Sequence, residues 1–141
     1  MRWFITMLKY MLDTNIVIYV MKQNPIEVLD TFNRHAAHLC ISSITAAELY
    51  YGAEKSSFPE RNLQRAEDFM SRLQVLSYGI KAATHFGNIR YELQKQGQLI
   101  GENNMHIAAH ARSEGLVLVS NNLREFERVA GLRFENWVTS H

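Results

Sequence analysis

The sequence predicts an α/β fold, a three-layer α/β/α domain around a central parallel sheet. Three observations lead there. Short β-favouring apolar runs recur along the chain, longer segments with helical periodicity separate them, and polar or acidic residues stand where the runs stop. Strands that alternate with helices pair in parallel, and a parallel sheet needs cover on both faces. Its ligands bind beyond the carboxyl ends of the strands, which says where to look for chemistry.

The 141 residues suit one compact domain better than two. A hydrophobic content of 47% with 21% charge is that of an ordinary soluble globular protein. No apolar run approaches the roughly 20 residues of a membrane span. The opening Met1–Met7 stretch is too short for a signal peptide's apolar region. The one cysteine, Cys40, excludes an intrachain disulfide. Lying in Leu39-Cys40-Ile41, it reads as a buried core thiol, and a cytoplasmic location is expected. With a net charge of only +1, any nucleic-acid partner must be met by local positive charge.

In chain order, strands are predicted at Lys9–Leu12, His38–Ile41, a weaker one at Gln74–Ser77, then Leu116–Val119 and a terminal one near Leu132–Glu135. Leu63, Ala66, Met70 and Leu73 are spaced as one helical stripe, and so are Ala82, Phe86, Ile89 and Leu93. Pro25 and Pro59 sit where helices can begin, which suits a residue without an N–H.

Four strand ends or helix starts carry candidate chemistry. Asp13 follows the first strand; alone, it or Thr14 reads as the cap of the next helix. After the second strand, Thr45 and Glu48 have capping-box spacing, which puts Glu48 in a helix's first turn at the crevice; cap and site both stand as readings. Next comes Gly101-Glu102-Asn103-Asn104, where each of the last three residues suits a cap. After the fourth strand, Asn122 and Glu125 repeat the box-like spacing. Taken together, these residues meet at one rim of a parallel sheet. Clustered carboxylates repel unless a cation intervenes, and hard oxygen donors select Mg²⁺ or Mn²⁺ over zinc. Such ions promote phosphodiester cleavage.

At this point the chain resembles the VapC toxins of bacterial VapBC toxin–antitoxin systems, a family of PIN-domain ribonucleases. The matching stretches are Met11-Leu-Asp-Thr-Asn-Ile16, Ile41-Ser-Ser-Ile-Thr-Ala-Ala-Glu-Leu-Tyr-Tyr-Gly52, Gly97-Gln-Leu-Ile-Gly101, Ile107-Ala-Ala-His-Ala-Arg112 and Gly115–Val129, followed by Gly131-Leu132 and Glu135-Asn-Trp137. They run in the family's order from about Met7 to Trp137. The resemblance implies a PIN-like α/β/α fold over residues 7–141, with Met1–Thr6 an upstream start or added residues. It implies Mg²⁺ or Mn²⁺ held at Asp13, Glu48 and Asn104, with Asn122 and Glu125 completing the catalytic site. It also implies homodimers, a VapB-like antitoxin as partner, and RNA as substrate, here initiator tRNA cut in its anticodon stem-loop.

The family has Asp where this chain has Asn104. The change keeps the shape, removes the charge and turns two N–H donors toward any cation. Two readings follow. Either Asn104 attenuates or disarms a toxin, or the sequence has diverged and Glu102 or Glu125 supplies the missing charge. Asn122 also departs from the acidic pattern of PIN domains, and Ser120 is placed to hydrogen-bond in the acidic cluster.

Arg112, Arg124, Arg128 and Arg133 bias the C-terminal third toward positive charge, with Arg124 and Arg128 the expected RNA contacts. His106 and His110 share a helical face; Ile107 after the first histidine breaks the zinc-protease pattern, so a packed or solvent-facing pair is expected. Tyr50, Tyr51, Phe69 and Met70 are expected in the core, the dimer or the antitoxin contact. One alternative is a non-catalytic PIN-like binding protein that engages an antitoxin, RNA or both. Another, an aspartyl-phosphate phosphatase using Asp13, is weakened by Asn15, where a second Asp is wanted.

Overall fold

The computed structural model describes residues 7–138. The reading of Met1–Thr6 therefore lies outside the described residues. Strand β1 (Tyr10–Leu12) is followed by helices α1 (Thr14–Lys22) and α2 (Ile26–Arg34) and a short 3₁₀ turn at Ala36–His38. Strand β2 (Leu39–Ser42) leads to α3 (Ser43–Glu54) and α4 (Pro59–Met70), and β3 (Gln74–Leu76) to α5 (Ile80–Lys95) and α6 (Glu102–Glu114). Strand β4 (Val117–Val119), the one-turn helix α7 (Leu123–Phe126) and β5 (Phe134–Glu135) close the described chain.

The sheet order is β3-β2-β1-β4-β5, and every pairing is parallel. All carboxyl ends therefore open on one rim, with β1 at the centre. All five strand expectations hold within a residue or two.

The three layers follow from the two-residue period of a strand. Tyr10, Leu12, Leu39, Ile41 and Val119 point to one face, where they pack with Ile16, Val17 and Val20 of α1, Val28 and Phe32 of α2, Ala46 and Leu49 of α3, and Ala66 and Phe69 of α4. Met11, Cys40 and Leu118 point to the other, against Ile89 and Leu93 of α5 and Met105, Ile107, Ala108, Ala109 and Ala111 of α6. The three buried alanines let α6 lie close to its neighbours. Cys40 is fully buried, as expected, and burial pushes its thiol up to about 12, so it is inert.

Pro59 opens α4 at its first turn, and Pro25 is the N-cap of α2. The stripe on α4 is carried by Ala66 and Phe69, with Leu63 and Met70 half-buried; Leu73 lies beyond the helix. Phe69 is a core residue, its ring 5.7 Å from that of Phe32, while Tyr50 and Tyr51 are exposed. Helix α6 ends at Gly115 with φ of 68°, a left-handed cap that glycine adopts without a Cβ clash. No described helix is long and apolar enough to cross a membrane.

Candidate active site

Asp13 leaves β1 at the middle of the rim. Its backbone N–H donates to Val119 O of β4 at 3.0 Å, and its Oδ1 accepts the Ile16 N–H at 2.9 Å as the N-cap of α1. The cap expectation is correct. The same side chain is only 3% exposed, and that burial raises its pKa from 3.8 to about 6. Hydrogen bonds from Ser120 and the Ile16 N–H oppose the rise; the charge of Glu48 adds to it. Ser120, fully buried, also accepts the Asn122 N–H at 2.9 Å, so it ties Asp13 to the turn after β4.

Glu48 arrives from α3. The expected Thr45–Glu48 capping box does not form. Ser42 is the N-cap, its hydroxyl accepting the Ile44 N–H at 3.0 Å, so the helix begins before Thr45. Ser42, the polar last residue of β2, takes the cap, Thr45 becomes a buried helix residue, and Glu48 sits in the second turn. There Thr14 donates to its Oε1 at 2.5 Å and the Asn103 amide to its Oε2 at 3.2 Å. The Thr14 hydroxyl also meets that of Thr45 at 3.2 Å. Both oxygens of Glu48 are thus oriented by neighbours.

Helix α6 brings the third group. None of Glu102, Asn103 and Asn104 is its cap; Gly101 is, without a side chain to offer. The cap comes instead from α7. Glu125 Oε1 accepts the Gly101 N–H at 3.2 Å and the Asn104 amide at 3.1 Å. Burial works against the Glu125 charge, but hydrogen bonds from Asn104, Asn122 and the Gly101 N–H, with Arg128 nearby, bring its pKa below the usual value. Asn122 holds the N-cap position of α7 but makes no side-chain cap bond, so the second box is also absent. Its side chain turns to Glu125 instead. Glu102 pairs with Arg90 at 2.9 Å. Of the two carboxylates considered for the missing charge, Glu125 is the one at Asn104.

The arrangement is therefore two oriented carboxylates, Asp13 and Glu48, with Asn103 donating to Glu48 and its neighbour Asn104 donating to Glu125. Among the described residues no group of three or more His, Cys, Asp or Glu is placed to hold a metal ion.

Arg124 is exposed at the rim. Arg128 is half-buried, 3.4 Å from the carbonyls of Gln98 and Leu99. The basic bias expected of the C-terminal third shrinks, because two arginines are structural. Arg112 binds His85, Asn88 and the Ala130 carbonyl, each at 2.8 Å, and Arg133 donates to the Gly115 carbonyl. His106 and His110 are a packed pair. His106 stacks on Phe86 with centroids 4.0 Å apart, and His110 is 1% exposed. Thr14, Ser42 and Tyr78 escaped the sequence reading as site residues. Only the polar Ser42-Ser43 pair after an apolar strand signalled any of them.

The sequence matches the PIN domain family over residues 10–132. Ribonuclease VapC2 of Haemophilus influenzae is 71% identical over 132 residues, 94% of this chain and 100% of that protein. The tRNA(fMet)-specific endonuclease VapC of Shigella flexneri is 56% identical over 131 residues, 93% of this chain and 99% of that protein. A chain of the DNA-bound VapBC structure from Salmonella typhimurium superimposes with a TM-score of 0.89 at 53% identity, covering 93% of this chain and 99% of that one. Fold and sequence agree: this chain belongs to the VapC family of PIN-domain ribonucleases.

Proposed function

We propose that this chain is the toxin of a toxin–antitoxin pair, an endoribonuclease that hydrolyses an RNA phosphodiester with Mg²⁺ or Mn²⁺. The observation that carries this reading is the meeting of buried Asp13 with Glu48 at the carboxyl rim, beside the N-terminus of α6. Mg²⁺ is commonly bound through one or two carboxylates, with water and substrate phosphate completing its shell. Asp13 and Glu48 fit that need, with the Asn104 amide oxygen in the third place. When bound, the cation lowers the pKa of water and stabilises charge on the leaving oxygen.

The protein's own residues supply the rest. Asp13 and Glu48 concentrate negative charge, Ser120 and the Ile16 N–H orient the first, and Thr14 and Asn103 orient the second. Asn122 and Glu125 complete the catalytic wall, and Arg124 and Arg128 meet RNA phosphates. The substrate is initiator tRNA, cut in its anticodon stem-loop; support comes from the 56% identical Shigella relative, named for tRNA(fMet). Such a substrate places the protein in the cytoplasm.

Asn104 attenuates this variant, because a neutral amide stands where the family places a carboxylate. One observation favours the second reading, a binding protein without catalysis. Asn103 and Asn104 donate amide N–H groups to Glu48 and Glu125, so both acids are engaged without a cation.

The partner is a VapB-like antitoxin, as in the VapBC assemblies from Salmonella typhimurium and Rickettsia felis. A groove of about 480 Å³ between α1, α3 and α4, lined by Ile18, Met21, Leu49, Ala53 and Ala66, suits an apolar segment of it. A homodimer completes the assembly.

The test is cleavage of purified initiator and elongator tRNA with Mn²⁺, with and without chelator, by this protein and its Asp13→Asn variant. Slow, chelator-sensitive cutting of initiator tRNA that Asp13→Asn abolishes supports the reading. Cutting that survives both chelator and substitution refutes it.

A further inference from the structure

Helix α6 carries Asn104, and α3 carries Glu48. Their relative placement is set by side chains well away from both residues. His110 lies two turns along α6 from Asn103 and is 1% exposed. Its Nδ1 is 2.8 Å from the Ser42 hydroxyl. That hydroxyl is also the N-cap of α3, accepting the Ile44 N–H at 3.0 Å. One serine oxygen therefore joins the start of the Glu48 helix to the middle of the Asn104 helix.

A second contact repeats the pattern. Tyr78 donates its backbone N–H to the hydroxyl of Ser43, the first residue of α3, at 3.0 Å. The Tyr78 hydroxyl in turn meets His106 Nδ1 of α6 at 2.8 Å, and its ring stands edge-on to both histidines, with centroids 5.2 and 5.5 Å away. Ser42 and Ser43 are thus both fastened, directly or through Tyr78, to one face of α6.

His110 is an expensive residue for a core. Its Nε2 is buried without a hydrogen-bond partner among the described residues. An unmet polar atom is costly inside a protein, and an apolar side chain would fill the space without that cost. What a histidine supplies there is Nδ1, aimed at the cap of the Glu48 helix. We propose that His110 is a positioning residue for the acidic site: through Ser42 it fixes the N-terminus of α3, and hence Glu48, against the α6 turn that carries Asn103 and Asn104.

The role rests on Glu48 belonging to the active site, so the test reads position and cation binding separately. Three variants serve: His110→Leu, which removes Nδ1; His110→Asn, whose amide reaches the Nδ1 position; and Ser42→Ala. Amide hydrogen exchange at Ile44 and the carboxyl ¹³C resonance of Glu48 report position with no cation present. Loss of the cap bond in Ser42→Ala, and release of the Ser42 hydroxyl that makes it in His110→Leu, are each expected to speed Ile44 exchange roughly tenfold. The Glu48 resonance is expected to move in both, amides of β4 to stay protected, and His110→Asn to restore the original values. Unchanged Ile44 exchange in His110→Leu overturns the proposal. So does a uniform loss of protection across the core, or a failure of His110→Asn to restore it.

Mn²⁺ titration of the same proteins then reads the site itself. Outer residues that orient a metal ligand are worth roughly 10–100-fold in affinity, and His110→Leu is expected to weaken binding at the low end of that range. If the unsubstituted protein takes no Mn²⁺, the cation reading fails, while the exchange pattern still decides the role of His110.

Discussion

The amide of Asn104 donates to Oε1 of Glu125 at 3.1 Å, and the same oxygen accepts the N–H of Gly101. A neutral residue in the first turn of α6 thus holds the neighbouring carboxylate as the cap of its own helix. A carboxylate at position 104 has no N–H to give. It would stand against Glu125 as a second acceptor, and the pair would need a proton or a cation between them.

The first prediction follows from that geometry. Without divalent ions, Asn104→Asp is expected to lower stability by about 1–3 kcal/mol, from the lost hydrogen bond and the new repulsion. Adding Mn²⁺ should recover the loss, and should raise the melting temperature of the variant more than that of the unsubstituted protein. Thermal unfolding with chelator and with Mn²⁺ checks it; equal responses to Mn²⁺ would count against a cation at this place.

Asp13 gives a pH dependence with a definite sign. Its folded pKa, about 6, lies above the ordinary aspartate value of 3.8, so the folded state binds the proton more tightly between these limits. Stability from this group is fully present below pH 3.8 and is lost as pH rises through 6. The loss amounts to about 3 kcal/mol. His110 slopes the other way: burial lowers its pKa from 6.5, so protonation of the unfolded chain removes stability as pH falls below 6.5. The difference between this protein and Asp13→Asn isolates the first effect. Asparagine still caps α1, so metal-free Asp13→Asn is expected to be more stable at pH 7 by about 1–3 kcal/mol, with the gain shrinking toward pH 4. Denaturant midpoints across pH measure it; a gain independent of pH would refute the burial argument.

Thr14 and Asn103 hold the two oxygens of Glu48. Thr14→Val removes one donor and keeps the shape. It is expected to weaken Mn²⁺ binding by roughly tenfold, and Asn103→Ala by less, because Asn103 is exposed. Calorimetric titration distinguishes the two; no change in either would remove Thr14 from the site.

Arg124 is exposed at the rim with no hydrogen bond or ion pair among the described residues, whereas Arg112 and Arg133 are bound to the protein's own groups. Arg124→Ala is expected to weaken tRNA binding and to reduce the slope of log affinity against log salt by about 1. Arg133→Ala should leave the slope unchanged. Filter binding over a salt series checks both.

The fold was legible because its signals are local. Apolar runs such as Leu39–Ile41 and Val117–Val119 form buried strands whatever surrounds them, and strand–helix alternation sets the parallel order. The rim was legible for the same reason, since Asp13 directly follows its strand. Helix starts were read less well. Thr45–Glu48 has the spacing of a capping box, but Ser42 comes first and takes the cap. At α6 and α7 the polar residues serve each other across the site, Glu125 accepting from the N-cap residue Gly101, 24 positions earlier. The link between Ser42 and His110 spans 68 positions, and no periodicity or spacing announces such a pair.

Cleavage of a tRNA pool with Mn²⁺, by this protein and by Asn104→Asp side by side, separates a disarmed nuclease from one that needs no acid at position 104. Asn104→Asp is expected to cut initiator tRNA at least about 100-fold faster, the scale of removing one electrostatic contact to a reacting centre. Equal cutting by both proteins would contradict the attenuating role of Asn104, and cutting by neither would contradict the catalytic reading of the site.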